Sequence, residues 1–103
     1  MSSKELTRAQ AERLEMLAEE AAEISQMCMK ILRHGYSSYH PSEEGKPAHK
    51  RETNRKALSR EMLEFWAIFE RMALLGDLPT LDFWGSKAIW EKKLKWTHHQ
   101  ERD

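Results

Sequence analysis

The chain has little of several features that particular folds and functions need. It contains a single cysteine, Cys28, which excludes an internal disulfide. Its uninterrupted apolar runs are far too short to cross a bilayer, and no charged and then apolar leader opens it, so we expect a cytoplasmic protein with no membrane partner. Its seventeen basic and seventeen acidic side chains cancel, which predicts that it has no nucleic-acid partner.

Motifs for several common chemistries are also missing. The sequence has no glycine-rich phosphate loop and no nucleophile elbow. Its five histidines do not have the spacing of metal ligands, because His98 and His99 are adjacent and point to different faces of a helix. Cys28 has no second cysteine to complete a zinc set, and its place on an apolar stripe predicts a buried structural thiol.

The chain of 103 residues is predicted to be a single all-α domain, because no strand pattern persists and no repeat is visible. We expect a helical bundle of three principal helices. The first runs from Ser3 or Thr7 to about Arg33, before Gly35, and Thr7 with Gln10 forms a possible capping box. Its apolar stripe recurs at spacings of three and four and comprises Leu14, Leu17, Ala21, Ile24, Cys28 and Ile31.

Residues 34–53 contain two glycines and two prolines without periodicity, which indicates a connection or a flexible lid. A second helix is predicted from residue 53 or 54 to about Leu75, before Gly76, and a third from about Asp82 to about His98. Trp84, Ala88, Trp90 and Leu94 are the apolar contacts expected of the third helix.

Apolar residues cover more than one side of the second helix. Ile68 and Leu75 lie beside its main stripe, which comprises Leu58, Met62, Phe65, Trp66, Phe69, Met72 and Ala73. A helix that is apolar on two sides packs against neighbours on both, and a chain this short gains stability by self-association. We therefore expect a homodimer or a homotetramer.

Two acidic motifs lie on the first two helices. In "LAEEAAE" the carboxylates of Glu19, Glu20 and Glu23 project from neighbouring helical positions, and in "SREMLEFW" Glu61 and Glu64 share one face. Two antiparallel helices would bring both pairs together as oxygen ligands of the kind that Mg²⁺ or Mn²⁺ prefers. A solvated acidic face is the commoner alternative for a single EExxE. Four carboxylates near a bundle core, however, repel one another unless a cation or protons compensate them.

EExxE at residues 19–23 followed by ExxE at residues 61–64 resembles the MazG-like all-α nucleoside triphosphate pyrophosphohydrolases, whose pattern is EExxE followed by ExxD. The resemblance covers roughly residues 10–78. It implies that Glu20, Glu23, Glu61 and Glu64 bind Mg²⁺, with Mn²⁺ as an alternative. The ion would hold a nucleoside triphosphate while water attacks, releasing the monophosphate and pyrophosphate. It also implies that Glu19 orients either the attacking water or one of the metal-binding glutamates. Glu64 stands where the family has Asp, and the connection is longer than is typical.

Basic and aromatic residues near the motifs are candidates for substrate contacts, although each is individually more often a solvated charge or part of a core. Arginine and lysine side chains could meet the phosphates, and the two tyrosines of the connection could stack on a base. The candidates are Arg51, Arg55, Lys56, Lys87, Tyr36 and Tyr39. Two alternative functions remain. One is a catalytically inactive MazG-like relative that binds or sequesters a nucleotide, and the other is a helical interaction module.

Overall fold

The computed structural model describes residues 5–79 and 85–101. Three α-helices follow one another in this part of the chain, α1 (Arg8–His34), α2 (Asn54–Leu74) and α3 (Ser86–Lys93). The described residues contain no β-strand, and their extended pairing is limited to an isolated bridge between Tyr39 and Thr53. The all-α fold class is confirmed. None of these helices is long and apolar enough, within the described residues, to span a membrane.

The ends of α1 follow from its capping residues. The Thr7 hydroxyl accepts a hydrogen bond from the Gln10 backbone N–H at 3.0 Å, and the Gln10 side-chain oxygen accepts one from the Thr7 N–H at 2.9 Å. This reciprocal pair is the predicted capping box. Gly35 ends the helix with a φ of +88°, a left-handed conformation that glycine adopts without strain. The limits predicted from Thr7 and Gly35 are confirmed, and Ser3 lies outside the described residues.

The first two helices form an antiparallel hairpin that is fastened at both ends. Near the start of α1, Arg13 donates from Nε and Nη2 to the two carboxylate oxygens of Asp77, at 2.6 and 2.9 Å. Asp77 lies just beyond α2, after Gly76, whose φ is +83°. At the opposite end, the side-chain amide of buried Asn54 donates to the Gly35 carbonyl at 3.0 Å. These contacts at both ends fix the register of the two helices along their length.

Each helix of the hairpin covers one face. After its first turn, the less exposed residues of α1 are Arg13, Leu17, Glu20, Ile24, Met27 and Ile31. The matching series on α2 comprises Asn54, Leu58, Glu61, Phe65, Ile68 and Met72, with Ala57, Phe69 and Ala73 partly covered beside it. Both series alternate between spacings of three and four, which is the narrow stripe of two helices packed along each other. Each stripe therefore carries a glutamate at its middle, Glu20 on α1 and Glu61 on α2.

The stripe predicted for α1 is wrong at every second position. The predicted and the observed stripes share three residues, but Leu14, Ala21 and Cys28 are exposed whereas Arg13, Glu20 and Met27 are covered. The prediction of a buried Cys28 thiol is therefore wrong as well. Arg13 can point inward because Asp77 neutralises it, and this pair rotates α1 by about one position from the most apolar packing.

The connection between α1 and α2 is folded on itself by hydrogen bonds. It contains two 3₁₀ turns, Pro41–Glu43 and Ala48–Lys50. The backbone N–H groups of Asn54 and Arg55 donate to the carbonyls of Ser38 and Tyr36, at 2.8 and 2.9 Å. The Lys56 N–H donates to the Thr53 hydroxyl at 3.3 Å. The first amides of α2 are thus satisfied within the chain. Residues 35–53 form a connection, and their role as a lid stays a prediction.

The third helix is shorter than predicted. It has eight residues and continues as a 3₁₀ turn, Leu94–Trp96, so the helical segment ends before His98. Asp82 and Trp84, which the prediction placed at its start, lie outside the described residues. Within the described part of the chain, α3 makes no close backbone contact with α1 or α2. The side chains of Ile89 on α3 and of Trp96 on the 3₁₀ turn are exposed. The packed unit of the described residues is therefore the hairpin of α1 and α2.

We predict that replacing Asp77 with Asn lowers the melting temperature at pH 7 by several degrees, because it removes the charge that balances Arg13. The Arg13 guanidinium lowers the pKa of Asp77 below its ordinary value of 3.8. The pair thus stabilises the fold above that pH and loses its effect as the pH falls through the lower folded-state pKa. The deficit of Asp77→Asn should accordingly shrink in acid when melting is followed by circular dichroism.

The matched control adds Arg13→Gln to Asp77→Asn. Because the pair is already broken, the second change should cost much less than Arg13→Gln costs in the wild type. Additive losses, or a deficit that is the same at pH 7 and in acid, would contradict this account of the clamp.

Candidate metal centre

Four glutamates from the two hairpin helices come together. Glu20 and Glu23 extend from α1 and Glu61 and Glu64 from α2, and one carboxylate oxygen of each lies within 4.8 Å of those of the others. The i, i+3 spacing places both members of each pair on the side of the helix that faces the partner helix. We call these four residues the acid cluster.

The acid cluster has a buried half and an exposed half. Glu20 and Glu61 are only 9% and 8% exposed, whereas Glu23 and Glu64 are exposed at its flank. Among residues 5–79 and 85–101, no hydrogen-bond donor reaches Glu20 Oε1 or Glu61 Oε2, although both oxygens are buried. A buried carboxylate oxygen without a donor is costly, and a cation or a proton removes the cost. The buried half is therefore suited to a positive ligand.

The electrostatics of the acid cluster favour a proton at Glu20. The hydrogen bond that a protonated Glu20 can donate to Glu61, followed by burial, raises the pKa of Glu20 to about 8. The same hydrogen bond is the main cause that lowers the pKa of Glu61. Hydrogen bonding to Glu61 is also the main cause that raises the pKa of Glu23. These shifts favour a neutral Glu20 carboxyl beside an ionised Glu61 carboxylate.

Arg60 lies beside the acid cluster, and the sequence analysis did not assign it to the site. Its Nη1 is 3.4 Å from Glu61 Oε1 and 3.9 Å from Glu64 Oε1, and its Nε donates to Glu52 Oε1 at 2.9 Å. The signal for it was present, because Arg60 and Glu64 are four residues apart on a predicted helix.

The donor set of the acid cluster suits a hard divalent cation. Four carboxylate oxygens from two rigid helices are the ligands that Mg²⁺ and Mn²⁺ prefer, and the set contains no nitrogen or sulfur. Glu19 is exposed and outside this set, on the same flank of α1 as Glu23, four residues away. Its assignment as an acid that orients water stays a prediction.

Two of the arginines predicted to contact substrate, Arg51 and Arg55, lie against the two tyrosines of the connection. The Arg51 guanidinium lies 4.8 Å from the centre of the Tyr39 ring, and the Arg55 guanidinium 4.9 Å from that of Tyr36. Arg51 also donates to the Tyr39 hydroxyl and to two backbone carbonyls of the connection. These contacts stabilise the connection, and a ligand would have to compete for the tyrosine faces.

The two lysines proposed to contact phosphate lie in different surroundings. Lys56 Nζ donates to the His49 carbonyl at 2.8 Å, so its ammonium also fastens the connection. Lys87 is exposed on α3, which makes no close backbone contact with the hairpin in the described residues. Neither lysine forms an ion pair with the acid cluster in this part of the chain.

We predict that the metal-free protein loses stability as the pH rises from about 4.5 to about 8. Because the pKa of Glu20 is raised from 4.5 to about 8, the folded state binds more protons than the unfolded state in this window. The lowered pKa of Glu61 acts below pH 4.5, outside it. Melting curves with a chelator present should show the decline, and Glu20→Gln should flatten it.

Glu70→Gln is the matched control, since Glu70 is an exposed glutamate of α2 outside the acid cluster. It should keep the wild-type slope. A Glu20→Gln protein whose stability falls with pH as steeply as the wild type would show that Glu20 does not hold the proton.

No family model, no curated protein and no solved structure matches the chain. The acid cluster and its surroundings are therefore the grounds on which a function can be assigned.

Proposed function

We propose that the protein is a Mg²⁺-dependent nucleoside triphosphate pyrophosphohydrolase, which releases a nucleoside monophosphate and pyrophosphate. The observation that carries the proposal is a pair of buried carboxylate oxygens, on Glu20 and Glu61, at the centre of a four-carboxylate cluster. No donor from the described part of the chain reaches either oxygen. The resemblance of EExxE and ExxE to the motifs of MazG-like enzymes supports the same assignment and names the substrate class.

The burial of the four carboxylates suggests how they divide the work. Glu20 and Glu61 would hold the ion from the inside of the hairpin, and Glu23 and Glu64 would hold it from the exposed flank. The flank is open to solvent, so a polyphosphate has access to it. Mg²⁺ would supply charge neutralisation and positioning of the phosphates. Hydrolysis of a phosphoanhydride needs these two effects more than a covalent nucleophile, which agrees with a cluster built of carboxylates. In this scheme Glu19, on the same flank, orients the attacking water.

Two other functions are compatible with the same helices. A catalytically inactive relative would bind a nucleotide through the metal and sequester it. A helical interaction module would use the exposed apolar side chains and bind neither metal nor nucleotide. The first alternative shares the metal site with the enzyme, whereas the second does not.

We predict pyrophosphate release from at least one nucleoside triphosphate in the presence of Mg²⁺ or Mn²⁺, when nucleotides are screened and the products are separated by chromatography. Glu20→Gln and Glu61→Gln should lower metal affinity and turnover together, because each deletes a charge that the ion needs. Without metal, Glu20→Gln should be as stable as the wild type or more so, since repulsion is relieved.

The control is again Glu70→Gln, which should behave as the wild type in every assay. If the protein binds Mg²⁺ and nucleotide in calorimetry but releases no pyrophosphate, it is the sequestering relative. In that case Glu64→Asp, which restores the family's shorter side chain, is the variant in which activity should emerge. If Mg²⁺ changes the melting temperature of neither the wild type nor Glu20→Gln, the helical interaction module is the remaining function.

Self-association is the second part of the proposal, and the large exposed area of the chain supports it. The chain exposes 8922 Å². A compact monomer of 12.2 kDa exposes about 6,000 Å². The radius of gyration of this chain is 17.8 Å, against about 13 Å for a compact domain of the same length. The excess area is on the order of 3,000 Å² per chain, which is more than the roughly 1,000–2,500 Å² that each partner of an obligate homodimer typically buries.

The exposed apolar side chains lie where a second copy could cover them. On α1, three members of the predicted stripe, Leu14, Ala21 and Cys28, are exposed, and the neighbouring Leu32 is 77% exposed. On α2, Leu63 and Leu74 are 67% and 70% exposed, on the side opposite to Glu61. A helix pair with open apolar stripes on its outer sides is half of a four-helix bundle, so a homodimer or a dimer of dimers is the assembly that these faces support.

We predict that light scattering at micromolar concentration gives a dimer or tetramer mass. Leu63→Lys combined with Leu74→Lys should shift the mass toward the monomer, because each leucine contributes about 1.5–3 kcal/mol when fully buried. Ser37→Lys adds a lysine at an exposed site of the connection and should leave the mass unchanged. A monomer mass for the wild type would contradict this part of the proposal.

A further inference from the structure

Arg60 is held at the rim of the acid cluster by one strong contact and two weak ones. Its Nε donates to Glu52 at 2.9 Å, a normal length for a charged hydrogen bond. Its Nη1 lies 3.4 Å from Glu61 and 3.9 Å from Glu64, which is too far for well-formed hydrogen bonds. The side chain is 52% exposed, so the guanidinium is at the surface of the cluster and not inside it. The end that faces the acids is therefore weakly held.

A divalent cation in the acid cluster would change the forces on this guanidinium. It would neutralise the carboxylates of Glu61 and Glu64 that attract Nη1, and its own charge would repel Arg60. The contact of Nε with Glu52 does not involve the cluster, so it would keep the guanidinium near the rim. Arg60 would then have unsatisfied N–H donors beside a bound metal ion, on the side that solvent can reach.

We propose that Arg60 contacts the phosphate oxygens of the metal-bound substrate, and that it balances the acid cluster only while the metal is absent. This inference rests on the proposed function and adds to it the residue that recognises the polyphosphate. A guanidinium carries its charge at every relevant pH and presents two parallel N–H groups that match the oxygens of a phosphate.

The surroundings of the other basic residues favour Arg60 for this contact. Arg51 and Lys56 donate to backbone carbonyls of the connection, and Arg55 lies against the Tyr36 ring. Among the described residues, no basic side chain other than Arg60 forms an ion pair with the acid cluster. The amides at the start of α2 are already occupied, so that helix terminus offers no competing anion site.

The test is a change of opposite sign in two affinities. Mn²⁺ alone, and then inorganic pyrophosphate in the presence of saturating Mn²⁺, are titrated into wild type and Arg60→Gln by calorimetry. Without phosphate, Arg60 competes with the ion, so Arg60→Gln should bind Mn²⁺ roughly two- to fivefold more tightly. With Mn²⁺ bound, the variant lacks the phosphate contact and should bind pyrophosphate roughly tenfold or more weakly.

Two further variants separate charge from geometry. Arg60→Lys keeps the charge but not the paired N–H groups, so its Mn²⁺ affinity should equal that of the wild type while its pyrophosphate affinity falls between the two. Arg71→Gln is the control for the loss of an arginine from α2. Arg71 is exposed and three turns from Arg60, and both affinities should be unchanged. Equal melting temperatures of the four chelated proteins would exclude misfolding as the cause.

Each outcome decides the inference. Affinities that move in opposite directions support it. A variant that binds Mn²⁺ more tightly and pyrophosphate as the wild type does would mean that Arg60 only balances the acids, and losses of both affinities would mean a structural role; either overturns it. If the wild type binds no Mn²⁺, the proposed function fails together with the inference. If opposite shifts occur but no triphosphate is hydrolysed, the enzyme assignment fails and the role of Arg60 stands.

Discussion

The repulsion between carboxylates at the centre of the helical hairpin is the constraint on which the rest of the structure depends. Glu20 and Glu61 occupy the middle of the two stripes that pack against each other, where two apolar side chains would stabilise the hairpin more. The chain compensates at the ends of the helices, through the Arg13–Asp77 pair and the amide of Asn54. The stabilising contacts thus lie at the ends of the hairpin, and the repelling acids lie at its middle. This arrangement is expected of a small core that also contains a binding site.

The connection removes other positive groups from competition for a ligand. Its turns use Arg51 and Lys56 as donors to backbone carbonyls, and the carbonyls of Tyr36 and Ser38 take the first amides of α2. A helix N-terminus whose amides are already paired offers little to an anion. Among the described residues, the positive charge that remains next to the acids is that of Arg60. The polar contacts that order the connection thus also determine which basic side chain could meet a phosphate in the proposed function.

How much could be predicted from the sequence differs between helix limits, helix faces and the site. Thr7, Gly35 and Gly76 act locally, so the ends of α1 and α2 were predictable. The face of α1 was not, because Leu14 and Ala21 are more apolar than Arg13 and Glu20, and the partner that lets Arg13 point inward is 64 residues away. The meeting of the four acids followed from their i, i+3 spacing. Which two of them are buried depends on that same rotation of α1, which no local pattern encodes. The approach of Arg60 was visible in its spacing to Glu64 but not in its pairing with Glu52.

The exposed apolar surface and the acid cluster both reduce the stability of the isolated chain. Among the described residues of the hairpin, Met72 is the buried apolar side chain, so the hairpin has little core to offset four facing carboxylates. Any ligand that binds the folded chain and not the unfolded one adds stability by mass action, whether it is a proton, a divalent ion or a second copy. A proton on Glu20 competes with a metal for the same oxygens, whereas a second copy covers the outer faces of the helices. Metal and partner would therefore stabilise the same folded state from different sides, and each would strengthen the binding of the other wherever the chain alone is only partly folded.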